Sequence, residues 1–382
     1  MTVKPKRFLF IDQFRGWAVL LMIETHVLNA FLRSDLFSSG WYRAVDFLNG
    51  LIAPAFLFIA GFALAIVAGR KWENFVKLDG LFWKQLGRYL LVWLTGYCLR
   101  VNGFSFRWLY YGLRSNQPKV FFGVDILHCI AASLVLMLFL IPVCRRRAVL
   151  FTLLAVLAVA VILLTPFVYG LPVEKFLPLP LANYFKRLPY SRFPLLPWSA
   201  YALAGAVGSH LWQRARETGG EERFVRATVR LAAPLTVFTA GLMLLPRGWI
   251  MTTRLSAVNP VFILLKLSLV TLILVGCWHW ERSGRKMWPP ATLVGQESLL
   301  VYAAHIALLF GPLWGSRRQS LAVMIGQMQT PLEIVPWIGL LTVVMLCLAA
   351  GWHWLKNHYP LFARRMLMMF WFLVLMVFWL RH

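Results

Sequence analysis

The sequence predicts an all-α fold: a polytopic integral membrane helical bundle of about eleven transmembrane helices, forming one transmembrane domain over residues 1–382. Three observations predict it. Of 382 residues, 60% are hydrophobic and only 14% charged, where a soluble chain carries about 25% charged residues. The mean hydropathy is +0.69. Apolar runs of about 20 residues, the length that crosses a hydrocarbon core, recur along the whole chain. Between these runs lie short stretches rich in Lys and Arg, the usual mark of membrane topology. A soluble domain, a disordered chain and a disulfide scaffold are excluded. The five cysteines (98, 129, 144, 277 and 347) show neither a CxxC pair nor metal-ligand spacing.

The expected spans lie near 9–32, 47–69, 83–101, 121–143, 148–168, 197–213, 227–246, 258–278, 291–313, 333–353 and 365–381. The first follows Lys4, Lys6 and Arg7 and contains Asp12, Arg15 and Glu24. It is expected to be a retained helix, because no small-residue cleavage site follows a clean apolar core. The fourth and fifth are separated by Arg145, Arg146 and Arg147. The stretch 169–196 is rich in Pro and aromatics and reads as interfacial, and the sixth span after it is short. The eighth carries Lys266 midway. With the N-terminus inside, the larger share of the basic residues falls on the inner side. The outer loops keep Arg107, Arg114, Lys119, Lys175, Lys186, Arg187 and Arg192. The bias favours N-in and C-out. The net charge of +25, from 39 Lys+Arg against 14 Asp+Glu, therefore reads as topology. No basic module stands apart from the membrane to bind nucleic acid.

An ionisable residue inside a spanning helix marks a functional site by default. The first helix, IDQFRGWAVLLMIETH, is the richest. Arg15 and His26 are eleven positions apart, three turns plus about 20°, so they share one face roughly 16 Å apart. Asp12 lies one turn before Arg15 and is expected to pair with it. Glu24 lies roughly 160° round from His26, so it does not orient that imidazole from the same face. Snorkelling is the bland reading of Arg15, an interfacial histidine that of His26, and pairing within the bundle that of Glu24. Asp125 and His128, three apart, share a face of the fourth helix. They read either as a catalytic or acceptor-binding pair or as a helix-start Asp beside an interfacial His. Tyr302 and His305 share a face, with Glu297 two turns back; inter-helix hydrogen bonding is their bland reading. Glu24 or Glu297 is a candidate partner for Lys266. No HExxH, Cys/His zinc spacing, Walker A or GxGxxG is present, so neither a metal nor a nucleotide cofactor is expected.

The stretch RFLFIDQFRGWAVLLMIETH resembles the opening of the heparan-α-glucosaminide N-acetyltransferase catalytic-domain family, with Arg7, Asp12, Arg15, Gly16, Ala18, Met22 and His26 on its pattern. Later blocks agree: PAFLFIAGFALAI (54–66), GVDILHCIAASLVL (123–136), RFPLLPWSAYALAGAVGS (192–209) and QESLLVYAAHIALL (296–309). The resemblance runs through about 300 residues in this order. Eukaryotic lysosomal members carry a long luminal extension before the first helix. This chain starts almost at that helix, so a bacterial-type member is expected, in the inner (cytoplasmic) membrane with a cytoplasmic N-terminus.

The resemblance implies acyl transfer across the membrane, with acyl-CoA, acetyl-CoA foremost, as inner-side co-substrate and a saccharide or glycolipid as outer-side acceptor. His26 is then the general base or an acyl-accepting nucleophile, with Asp125 and His128 as further catalytic candidates. Arg15 and Asp12 are assigned to acyl-CoA. Glu24, Arg192, Trp198 and His305 are assigned to the acceptor. The bilayer is a partner, nucleic acid is not, and a homo-oligomer is left open. A transporter or flippase of an anionic or lipid-linked saccharide is the rival reading, since intramembrane charges suit it equally. A non-catalytic scaffold is a second, and would not need Arg15, Glu24 and His26 on one helix. Transporters often show repeats, and none is evident here.

Overall fold

The computed structural model describes residues 7–100, 105–107, 110–111, 121–189, 191–245, 258–311 and 320–380. Lys4, Lys6, Arg114 and Lys119 lie outside them. The helices in chain order are α1 (Leu9–Phe31), α2 (Gly40–Asn49), α3 (Ile52–Arg70), α4 (Trp72–Val76), α5 (Gly80–Arg100), α6 (Ile126–Cys144), α7 (Arg147–Gly170), α8 (Leu179–Phe185), α9 (Leu195–Glu217), α10 (Glu221–Met243), α11 (Pro260–Arg282), α12 (Pro289–Gln296), α13 (Ser298–Phe310), α14 (Leu321–Ile325), α15 (Pro331–His358) and α16 (Pro360–Leu380). Among the described residues no strand forms; a single parallel bridge joins Leu32 to Gln329. An all-helical fold is what a lipid solvent demands, because only helices satisfy their own backbone groups segment by segment.

The chain is an integral membrane protein. Among the described residues six helices are long and apolar enough to cross a membrane, and seven if the bent pair α12–α13 counts as one. Ten of the eleven expected segments each fall mainly on one helix, and the ninth, 291–313, falls on the bent pair α12–α13; the count of spans that the helices support is six or seven among the described residues. The long helices outside those six include α1, with Asp12, Arg15 and Glu24, and α10, with Glu221, Glu222, Arg223, Arg226 and Arg230. Their charges lower their mean hydropathy.

Local chemistry explains the boundaries. α15 starts with a capping box: Glu333 accepts from the Thr330 N–H at 2.7 Å, and Pro331 occupies the first turn, where its missing N–H costs nothing. α6 stops at Arg145, which turns left-handed at φ 53°. The first N–H groups of α1 have no side-chain cap of their own. Glu281 supplies it, accepting from Leu9 and Phe10 at 3.3 and 2.8 Å.

The described contacts gather into two compact units. Unit 1 comprises Met1–Ile52, Cys98–Pro118 and Cys277–His382; unit 2 comprises Ala53–Tyr97 and Lys119–Gly276. Each is built on glycines that let helix backbones touch. In unit 1 a Cβ at Gly16 would strike the Ala291 carbonyl, and one at Gly295 the Asp12 carbonyl, so α1 and α12 grip each other reciprocally. In unit 2 a Cβ at Gly61 would strike the Ala202 carbonyl, and one at Gly205 the Phe58 carbonyl, joining α3 to α9. The outermost helix of the sequence, α16, buries only Ala363. Its exposed Phe, Met, Leu and Trp side chains suit contact with lipid tails.

Candidate active site

In unit 1, α1 and α13 bring His26 and His305 together. His305 is fully buried and His26 half-buried. His305 Nε2 lies 3.0 Å from His26 Nδ1, and His305 Nδ1 lies 2.8 Å from the Val301 carbonyl oxygen. The tautomers follow by elimination. A carbonyl oxygen only accepts, so His305 Nδ1 donates to it. In a neutral ring Nε2 then accepts, so His26 donates from Nδ1. The lone pair of neutral His26 is left on Nε2. Tyr302 packs edge-on against His305 at 5.6 Å and Phe310 edge-on against His26 at 6.1 Å, which fixes both rings.

Glu24, on the other side of α1, accepts from Thr25 Oγ1 at 3.4 Å and hydrogen-bonds the Asn49 side chain of α2. Toward the start of α1, the expected pairing of Asp12 with Arg15 is replaced. Asp12 is buried and its partner is Arg7, whose Nε lies 2.6 Å from Oδ2. Gln296 also donates to Asp12, at 3.4 Å. Arg15 instead donates to the Gly295 carbonyl at 3.4 Å. Both residues thus meet the junction of α12 and α13, where the chain bends by 85°. A freed carbonyl at the end of α12 is a natural acceptor for a guanidinium.

The residue at that bend is Glu297, 5% exposed. Both its carboxylate oxygens accept from Lys356 Nζ, at 2.7 and 2.6 Å, and Oε1 also lies 3.0 Å from His353 Nδ1. Sequence reasoning missed Lys356 and His353 as its partners. Both are one turn apart on α15, and that spacing was the available signal. Lys266, in unit 2, has its ammonium 4.4 Å from the centre of the Phe262 ring.

Asp125, His128, Arg192 and Trp198 all fall in unit 2. Asp125 caps α6, its carboxylate accepting from the Ile126 N–H at 2.8 Å. His128 is fully buried, and its Nδ1 accepts from the Asp125 backbone N–H at 3.2 Å. Asp125 and His128 therefore meet as a capping box, through the backbone, rather than as a carboxylate holding an imidazole. The His128 ring stands edge-on to Tyr97 at 4.2 Å, over the space left by Gly96. Arg192 is exposed, and its N–H donates to the Val124 carbonyl at 3.0 Å. Trp198 packs edge-on against Phe193 at 4.8 Å. Among the described residues no three His, Cys, Asp or Glu side chains group as metal ligands would.

A family model described as heparan-alpha-glucosaminide N-acetyltransferase, catalytic, matches residues 7–251. No curated protein matches the chain.

Proposed function

Because the chain belongs to the heparan-alpha-glucosaminide N-acetyltransferase catalytic family, we propose that it moves an acetyl group from cytoplasmic acyl-CoA to a sugar amine or hydroxyl on the extracytoplasmic face of a bacterial inner membrane. The observation that carries this reading is the His26–His305 pair. Its hydrogen bonds leave the basic lone pair of neutral His26 on Nε2, and an imidazole suits general base work near neutral pH. In the step, the acceptor nitrogen or oxygen attacks the thioester carbonyl and gives its proton to Nε2. The carbon–sulfur bond breaks, and CoA leaves as the thiolate, which the same proton neutralises. The Nε2 lone pair also suits a two-step route in which His26 first takes the acetyl group.

In this reading Arg15 serves the anionic donor, with Asp12 anchoring the same end of α1. Glu24 is the acceptor contact in unit 1; Arg192 and Trp198 belong to unit 2 and are acceptor candidates of that unit by itself. His305 acts through His26, and Asp125 with His128 hold the start of α6. The test is release of free CoA by purified protein given acetyl-CoA and a panel of amino sugars and glycans. Acceptor-dependent release that disappears in His26→Ala supports the reading, and undiminished release by that variant sinks the assignment of the base. A CoA burst without acceptor separates the two-step route from direct transfer.

One observation favours a carrier instead. The 85° break between α12 and α13 is of the kind that transporters place at their binding sites. A carrier neither binds acetyl-CoA nor releases CoA, so the same experiment separates the two.

A further inference from the structure

Arg15 meets Gly295 and His26 meets His305. The first pair is separated from the second by eleven residues on α1 and ten on the α12–α13 side. At 1.5 Å per residue, α1 thus climbs about 16 Å between the two contacts, while α13 must climb almost as far from the bend. The two imidazoles meet only if both helices start from the right place. α1 is set by its glycine contacts with Ala291 and Gly295. α13 has no straight helix before it to set its register, because the chain turns sharply at Glu297.

We infer that buried Glu297, held by Lys356 and His353, is the register lock of α13 and that Glu297 and Lys356 are positioning residues for the histidine pair. This rests on the acyl-transfer reading. The path is short and continuous. Lys356 and His353, from α15, hold the Glu297 carboxylate at 2.6–3.0 Å. The Glu297 carbonyl accepts from the Val301 N–H at 3.1 Å. The Val301 carbonyl accepts from His305 Nδ1 at 2.8 Å, and His305 Nε2 meets His26 at 3.0 Å. Slipping α13 by one residue moves His305 about 1.5 Å along the axis and turns it about 100°. The Val301 carbonyl would still find an N–H, but Nε2 would no longer face His26.

The experiment compares Lys356→Met and Lys356→Arg with the full-length wild type in one detergent or nanodisc preparation. Three quantities are read: acetyl-CoA affinity, kcat for acetyl transfer, and the 15N imidazole shifts of His26 and His305, assigned by single His→Gln substitutions. Lys356→Met is expected to keep its acetyl-CoA affinity, to lose about 10- to 100-fold in kcat, as a displacement near 1 Å does, and to lose the signature of the His26 Nδ1–H to His305 Nε2 hydrogen bond. Lys356→Arg, which can still pair with Glu297, is expected to restore both. If Lys356→Met does not fold, the double variant Glu297→Gln with Lys356→Met, which leaves no uncompensated buried charge, takes its place with the same expectations. Unchanged imidazole shifts in a folded charge-removing variant would overturn the lock. If the wild type transfers no acetyl group, the functional reading fails, and the shifts alone still decide the lock.

Discussion

A histidine on α1 faces a histidine on α13 in unit 1, whereas in unit 2 a histidine on α6 turns back on its own helix start. Both imidazoles sit on apolar helices beside a candidate acid, and the sequence treats them alike. The difference lies in what each nitrogen must satisfy. His128 Nδ1 takes up the Asp125 N–H, one of the orphan donors at a helix start. His305 takes up a carbonyl within its own helix and passes its second nitrogen to His26. A polar residue near a helix start is claimed by the backbone before it is free for chemistry. A histidine in mid-helix has no such duty, so after bonding its own helix it keeps a second nitrogen for another helix.

Histidine removal is the strongest way to break this comparison. His26→Ala is expected to lower acetyl transfer by more than about 100-fold, the lower range for general acid–base groups, with little change in thermal unfolding. His128→Ala is expected to do the reverse, lowering the unfolding temperature while the folded fraction keeps its kcat. Equal losses of kcat in both would erase the distinction between the units. Next in size is Gly16→Val. Its side chain meets the Ala291 carbonyl, and backbone cannot yield as a flexible side chain can. A stability loss of about 1–3 kcal/mol or more is expected, together with loss of transfer, because α1 must move off α12. Unfolding in denaturant at matched detergent checks it.

The helices themselves were legible, because apolar length and charge punctuation act locally along the chain. The residues of the candidate site were legible too: His26, His305, Asp12, Arg15 and Glu24 stand out as polar atoms in apolar text. Their partners were not. His26 and His305 are 279 residues apart, and nothing in the spacing of either helix says that the other is its neighbour. The spacing offers Asp12 the guanidinium of Arg15, one turn further along α1, yet Asp12 pairs with Arg7. Arg15 is drawn instead to a carbonyl freed by the bend at Glu297, and no local pattern announces that bend. Lys266 drew attention as the costly intramembrane cation, yet the cation on Glu297 comes from Lys356 at the far end of α15.

Two smaller effects sharpen the contrast. Asp125→Ala is expected to cost about 1 kcal/mol, the usual value of an N-cap, without changing the pH dependence of kcat. A changed profile would mean that Asp125 acts on the chemistry after all. Asp79, before α5, is smaller still. A hydrogen bond from Asn74 first, then the N–H groups of Leu81 and Phe82, hold its carboxyl below the ordinary carboxylate range. Its folded-state pKa is depressed, so its contribution is present above the unfolded value of about 3.9 and is lost as the pH falls through the lower folded value. Asp79→Asn should therefore flatten the acid limb of unfolding temperature against pH and leave the neutral region almost unchanged.

The bend at Glu297 also has an electrostatic sense. In a straight helix the peptide dipoles add head to tail and leave net partial charge only at its two ends, but a broken one ends and begins again at the same place. At this break the negative end of the α12 macrodipole lies beside the positive end of the α13 macrodipole. The side chains answer each in kind: Arg15 sits on the carbonyl of Gly295, and Glu297 is the N-cap residue of α13. The polarity of this junction is thus written twice, once in side chains and once in backbone. Exchanging the charges of Glu297 and Lys356 would rebuild their ion pair but place a cation against the positive end of α13, so the junction has only one orientation of charge that agrees with its backbone.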